Sequence, residues 1–156
     1  MLTRRTALVA LLATLGWASI GCAADQSAVR APEKLYFSLE LRSGGKLVGK
    51  PKLLGESGHV VRAERRPDGS DIADYALKLL PTFEGADAYR VVLDVNVPAA
   101  GKDGHTELAM LHGEVKKLQL GPSPGDLEVE LILMKVDSPE FRALMNLPGD
   151  IAPNAI

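Results

Sequence analysis

The chain has 156 residues, 18 basic against 20 acidic, a net charge of −2 and a hydrophobic content of 46%. That balance offers no electrostatic basis for DNA or RNA recognition, which rests on neutralising phosphates, so nucleic acid is excluded as a partner. A single cysteine, Cys22, leaves no internal disulfide to form, and stability has to come from packing.

Met1 to Ala24 has the layout of a bacterial export signal: Arg4 and Arg5, the apolar run Ala7 to Leu15, then small residues around Cys22, Ala23 and Ala24. The run is too short to cross a bilayer, which takes about 20 apolar residues. Two processing routes fit. Cleavage after Ala24 yields a periplasmic or secreted domain. Alternatively, Ser19-Ile20-Gly21-Cys22 resembles a lipobox, residues 1–21 are removed, and a lipidated Cys22 anchors the chain to the outer membrane. Membrane attachment is expected only on the second route. Loss of Arg4 and Arg5 takes the 18 basic residues to 16, four short of the 20 acidic ones.

Residues 25–33, with Pro32, read as a tether to one domain spanning 34–147, followed by a tail at 148–156. Period-two alternation opens that domain. Leu35, Phe37, Leu39 and Leu41 share one face, with Tyr36, Ser38, Glu40 and Arg42 on the other, which predicts a half-buried strand. Ser43-Gly44-Gly45 turns the chain into Lys46 to Leu54, where Pro51 and the lysines predict an edge strand. Gly55 to Gly58 then leads into a strand over 59–66, read as the second half of a hairpin, which Pro67-Asp68-Gly69-Ser70 ends.

Asp74 to Phe83 and Tyr89 to Val97 predict two further strands around the turn at 84–87, the second with Tyr89, Val91, Leu93, Val95 and Val97 on one face. Pro98 to His105 reads as a loop. Glu107 to Leu120 is too long for one regular strand, with Gly113 as its break. After the turn Gly121 to Asp126, the strand Leu127 to Val136 becomes apolar on both faces at Ile132, Met134 and Val136. Its second face calls for a cover. Ser138 as N-cap and Pro139 at the first helical position predict a short helix carrying Phe141, Leu144 and Met145. Together these elements predict an all-β fold, an antiparallel sandwich or partly open barrel of seven to eight strands with a short C-terminal helix.

Lys50-Pro51-Lys52-Leu53-Leu54, Gly58 to Ala63, Tyr75 to Pro81, Gly85 and the strand Tyr89 to Val97 together resemble the β-rich core of bacterial secretins, over about residues 47–97. The resemblance implies a related β-fold used as a small module. The family's later proline-and-glycine signature has no counterpart here, the chain is too short for a pore and gate, and no functional residue carries over.

Six basic residues, Lys46, Lys50, Lys52, Arg62, Arg65 and Arg66, form the candidate contact surface for a partner, expected to be an envelope protein; edge protection and solubility are the competing account. His105 and His112, near Glu107 and Glu114, are the candidate metal ligands, although their spacing matches no established ligand pattern. Glu128 and Glu130 lie on one strand face, where a wet surface explains them. No G-x-S-x-G elbow and no phosphate loop is present, and no cofactor is implied. The expected function is a non-enzymatic binding or accessory module of the cell envelope, with a periplasmic metal-binding protein or hydrolase built on His105 and His112 as the alternative.

Overall fold

The computed structural model describes residues 31–146, and within them the chain forms nine strands, one turn of 3-10 helix and one α-helix. The expected export signal, Cys22 and the tail 148–156 lie outside the described residues. The strands are β1 (Lys34–Ser43), β2 (Lys46–Gly49), β3 (Lys52–Glu56), β4 (Val61–Arg65), β5 (Tyr75–Gly85), β6 (Ala88–Val97), β7 (Lys102–Leu111), β8 (Val115–Leu120) and β9 (Leu127–Lys135), followed by α1 (Pro139–Met145). They make two antiparallel sheets, one ordered β2-β1-β9-β8 with β3 also on β1, the other ordered β4-β5-β6-β7. The fold is an all-β sandwich, open along both sides rather than closed into a barrel.

The core follows from the alternation. Leu35, Phe37, Leu39 and Leu41 of β1, with Leu131 and Leu133 of β9, face Leu77 and Leu79 of β5 and Val91, Leu93 and Val95 of β6, all buried in one cluster. Burying such side chains, at about 1.5–3 kcal/mol each, supplies the stability that disulfides would otherwise share.

Three expectations needed correction. The single edge strand Lys46 to Leu54 is two strands, because Pro51 has no N–H to give the ladder. Both halves pair with β1, and the break is spanned by the Leu39 N–H donating to the Pro51 carbonyl at 3.0 Å. The pairing of 46–54 with 59–66 as a hairpin is also wrong. β3 belongs to one sheet and β4 to the other, so 57–60 is a crossover between layers. Third, Lys102 to His105 is not loop but the start of β7, paired with Val97 to Asp94, and the loop shrinks to Pro98–Ala100 and Gly101. The break expected at Gly113 does occur, between β7 and β8, where the chain changes sheet.

At the other end of the chain, α1 begins as anticipated: Ser138 Oγ accepts from the Phe141 N–H at 3.1 Å. The helix lies over the outer face of its sheet and changes the fate of Tyr36. Alternation had turned Tyr36 to the wet side, yet it is buried, its ring 5.3 Å from that of Phe141. This burial pushes the Tyr36 phenol up from its ordinary value, against a smaller lowering from its hydrogen bond with Ser38. Phe141→Ala should therefore bring the Tyr36 titration down, read by ultraviolet absorbance against pH, and cost about 1 kcal/mol in ring contact. Ser138→Ala should cost about 1 kcal/mol through the lost cap, read by thermal unfolding.

Candidate functional site

The two open sides of the sandwich differ. On one, the edge formed by β2 and β3 faces the edge strand β4 across the layers. Two glycines bring the layers together here: a Cβ on Gly49 would lie 2.5 Å from Cε1 of Tyr75 on β5, and one on Gly55 would lie 2.2 Å from Cγ2 of Val61 on β4. Between those contacts the layers part into a groove of about 400 Å³ lined by Pro51, Lys52, Leu53, Arg62, Ala63 and Tyr75, among others. A second, wider groove of about 820 Å³ lies beyond Gly49, with Lys46, Lys50, Arg65 and Asp74 on its walls.

All six predicted contact residues lie on or beside this side of the molecule. Lys46 and Lys50 come from the β2 end, Lys52 from β3, Arg62 and Arg65 from β4, and Arg66 directly follows β4. Their charges are unequally available. Lys50 Nζ is 2.8 Å from Glu40, Arg65 Nε is 3.4 Å from Asp74, and Arg66 is 2.5 Å from Glu64. Lys50, together with Arg42, holds the Glu40 carboxyl below the usual carboxylate range. Among the described residues, no carboxylate lies within ion-pair distance of Lys46 or Arg62, both exposed. On the groove floor the Tyr75 phenol is pushed up by burial, with Arg65 opposing and Asp74 reinforcing the shift.

The two histidines are not brought together. His105 is on β7 with its ring on the outer face, and His112 follows the end of the same strand, about 20 Å further along at the rise of a β-strand. One ion cannot bind both. His105 Nδ1 lies 2.5 Å from Asp94, directly opposite on β6. His112 Nδ1 accepts from the Lys135 N–H at 3.1 Å, and its Nε2 lies 3.2 Å from Glu140 on α1, so both nitrogens have structural partners. No group of three or more His, Cys, Asp or Glu residues among the described residues has metal-binding geometry. Glu128 and Glu130 lie on the outer face opposite Arg42 and Glu40 of β1, and Lys117 reaches Glu130 at 3.2 Å.

The His105 hydrogen bond, followed by its charge and by Lys78, lowers the Asp94 carboxyl below its ordinary 3.8. A carboxyl depressed in the folded state stabilises the fold above its unfolded value, and that contribution drains away as pH falls toward the lowered one. In His105→Ala the Asp94 titration, followed by carbon-detected NMR, should move back up toward 3.8.

Sequence reading missed one polar cluster. Tyr89 is fully buried and donates its hydroxyl to Glu33, and Lys135 reaches both Glu33, at 3.8 Å, and Asp87. Glu33 is thus part of the domain, not the end of a tether, and its main chain is clamped to Ser57 by two bonds of 2.9 Å. The available signal was Tyr89 itself, since a buried tyrosine hydroxyl needs a partner. The partner is 56 residues away, which no local pattern reveals.

Fold and site together define an all-β sandwich with two adjoining grooves along one open side. No protein-family model matches this chain, no curated protein matches it, and no solved structure matches it.

Proposed function

We propose that this chain is an exported, non-enzymatic binding module of the bacterial cell envelope that docks an acidic protein partner along its basic side. One observation carries the reading: Lys46, Lys50, Lys52, Arg62 and Arg65, drawn from both sheets, line two adjoining grooves, with Arg66 next along the chain, and among the described residues neither Lys46 nor Arg62 has a carboxylate within ion-pair distance. Solubility alone asks only for charges dispersed over the surface. A groove floored by Leu53 and Tyr75, with Lys52 and Arg62 on its rim and Glu64 paired to Arg66, suits a segment that presents apolar side chains flanked by carboxylates. Export rests on Arg4, Arg5 and the apolar run after them, with delivery either to the periplasm or, through Cys22, to the outer membrane.

The test is affinity capture from envelope extract, followed by titration of the recovered partner. A stoichiometric acidic protein whose binding is lost in Lys46→Glu/Arg62→Glu and kept in Lys117→Glu supports the reading. Equal binding by the unaltered protein and both variants, or no partner at all, overturns it. Mass spectrometry of the mature amino terminus separates the two routes: a diacylglyceryl Cys22 means a membrane anchor, and an unmodified Asp25 a free domain.

A further inference from the structure

The opposite open side carries a different device. Natural sheets protect their edges by shortness, proline, bulges or charged side chains, lysine above all, because unpaired main-chain groups invite another strand. Three of the four edges here are protected in that way. The β2–β3 edge is interrupted at Pro51 between Lys50 and Lys52, β4 has five residues and is followed by Pro67, and β8 has six residues with Lys116 and Lys117. β7 is the exception. It runs for ten residues, pairs with β6 without a register shift, and contains no proline. Its one basic residue, Lys102, stands at its first position, 2.7 Å from Asp126.

Which main-chain groups of β7 face outward follows from its hydrogen bonds. The His112 N–H donates to the Asp87 carbonyl at 3.0 Å, continuing the register in which Ala88 opposes Leu111. Alternation then turns Lys102, Gly104, Thr106, Leu108 and Met110 toward β6, and Asp103, His105, Glu107, Ala109 and Leu111 away from it. Leu111 is served locally, its N–H by Glu114 Oε2 and its carbonyl by the Glu114 N–H. Among the described residues, no strand pairs with the outward groups of Asp103, His105, Glu107 and Ala109.

We infer that β7 is a homodimer edge, which a second copy of this chain joins as an antiparallel strand centred on Thr106. The side chains select that register. Centred on Thr106, His105 opposes Glu107 of the other copy and Asp103 opposes Ala109, and all these residues have outward main-chain groups. About eight main-chain bonds form. Centring on His105 sets Asp103 against Glu107, and centring on Glu107 sets that carboxylate against itself; like charges directly opposite one another are destabilising. At the dyad the two Thr106 residues form a close, non-hydrogen-bonded pair of a favourable type. The two four-stranded sheets become one continuous sheet of eight, and both basic sides remain free at its far ends.

Sedimentation equilibrium of the purified protein, from micromolar to millimolar concentration, tests this. A monomer–dimer equilibrium is expected. Glu107→Pro removes an N–H that no strand of the same chain uses, so circular dichroism should be unchanged while the dimer is lost. Glu107→Lys should raise the dissociation constant about tenfold, and His105→Glu/Glu107→Lys should restore it. In a Cys22→Ser background, oxidised Thr106→Cys should cross-link two copies and His105→Cys should not. A protein monomeric throughout, a dimer undiminished by Glu107→Lys, or cross-linking by His105→Cys in place of Thr106→Cys would overturn the inference.

Discussion

Phe37→Ala is expected to lower the free energy of unfolding by about 3–5 kcal/mol. Phe37 is fully buried at the middle of β1, opposed by Leu53 of β3 on one side and Leu133 of β9 on the other. Its ring occupies the space between the layers, with Cε2 3.6 Å from where a Cβ on Gly55 would stand. Truncation removes that contact area and leaves a cavity that β1, hydrogen-bonded along both sides, cannot collapse to fill. A domain of this size holds only about 5–15 kcal/mol in total, so the variant sits at the edge of folding at 37 °C. Equilibrium urea denaturation measures the change, and a midpoint close to that of the unaltered protein would place Phe37 outside the core.

Gly55→Ala should cost about 1–3 kcal/mol by overpacking. The new methyl group would sit 2.2 Å from Val61 Cγ2, and a valine has few rotamers through which to retreat. Val61→Ala removes that atom and leaves its Cβ at 3.4 Å, an ordinary contact. In the Val61→Ala background, Gly55→Ala should therefore cost much less than it does alone. Urea denaturation of the two single variants and the double variant gives the coupling. Equal costs in both backgrounds would show that the strain arises elsewhere.

Much of the fold was legible residue by residue. The alternation in Leu35 to Leu41 and Tyr89 to Val97 marked β1 and β6 because each strand is half-buried, and burial on one face writes itself into the sequence at a period of two. The glycine pair after Ser43 marked the hairpin joining β1 and β2, and Ser138-Pro139 marked the start of α1. Pro51 was recognised as an edge residue, but its consequence was not: without a ladder N–H it divides one strand into two.

The basic surface was legible as a set of residue types and not as a place. Lys46, Lys50 and Lys52 are close in sequence, as are Arg62, Arg65 and Arg66. Whether the two groups met depended on β3 and β4 lying at matching edges of different sheets, which the hairpin reading had not foreseen. For the histidines the same ignorance of long-range placement worked the other way. Seven positions of separation look close in sequence, yet along a strand they amount to about 20 Å.

By itself, then, the amino-acid order determined most of the extended segments, the core-facing side of β1 and β6, most of the turns, and that one short helix must cover the last strand. These properties depend on neighbours within a few residues, and short-range sterics and burial suffice to specify them. Only the tertiary structure decided the strand orders β2-β1-β9-β8 and β4-β5-β6-β7, the burial of Tyr36 beneath Phe141, the Glu33–Tyr89–Lys135 cluster, the gathering of the cations on one side, and the exposure of β7 on the other. Each of these joins residues distant along the chain, and such pairings are chosen by how whole faces pack, a choice that local periodicity does not encode.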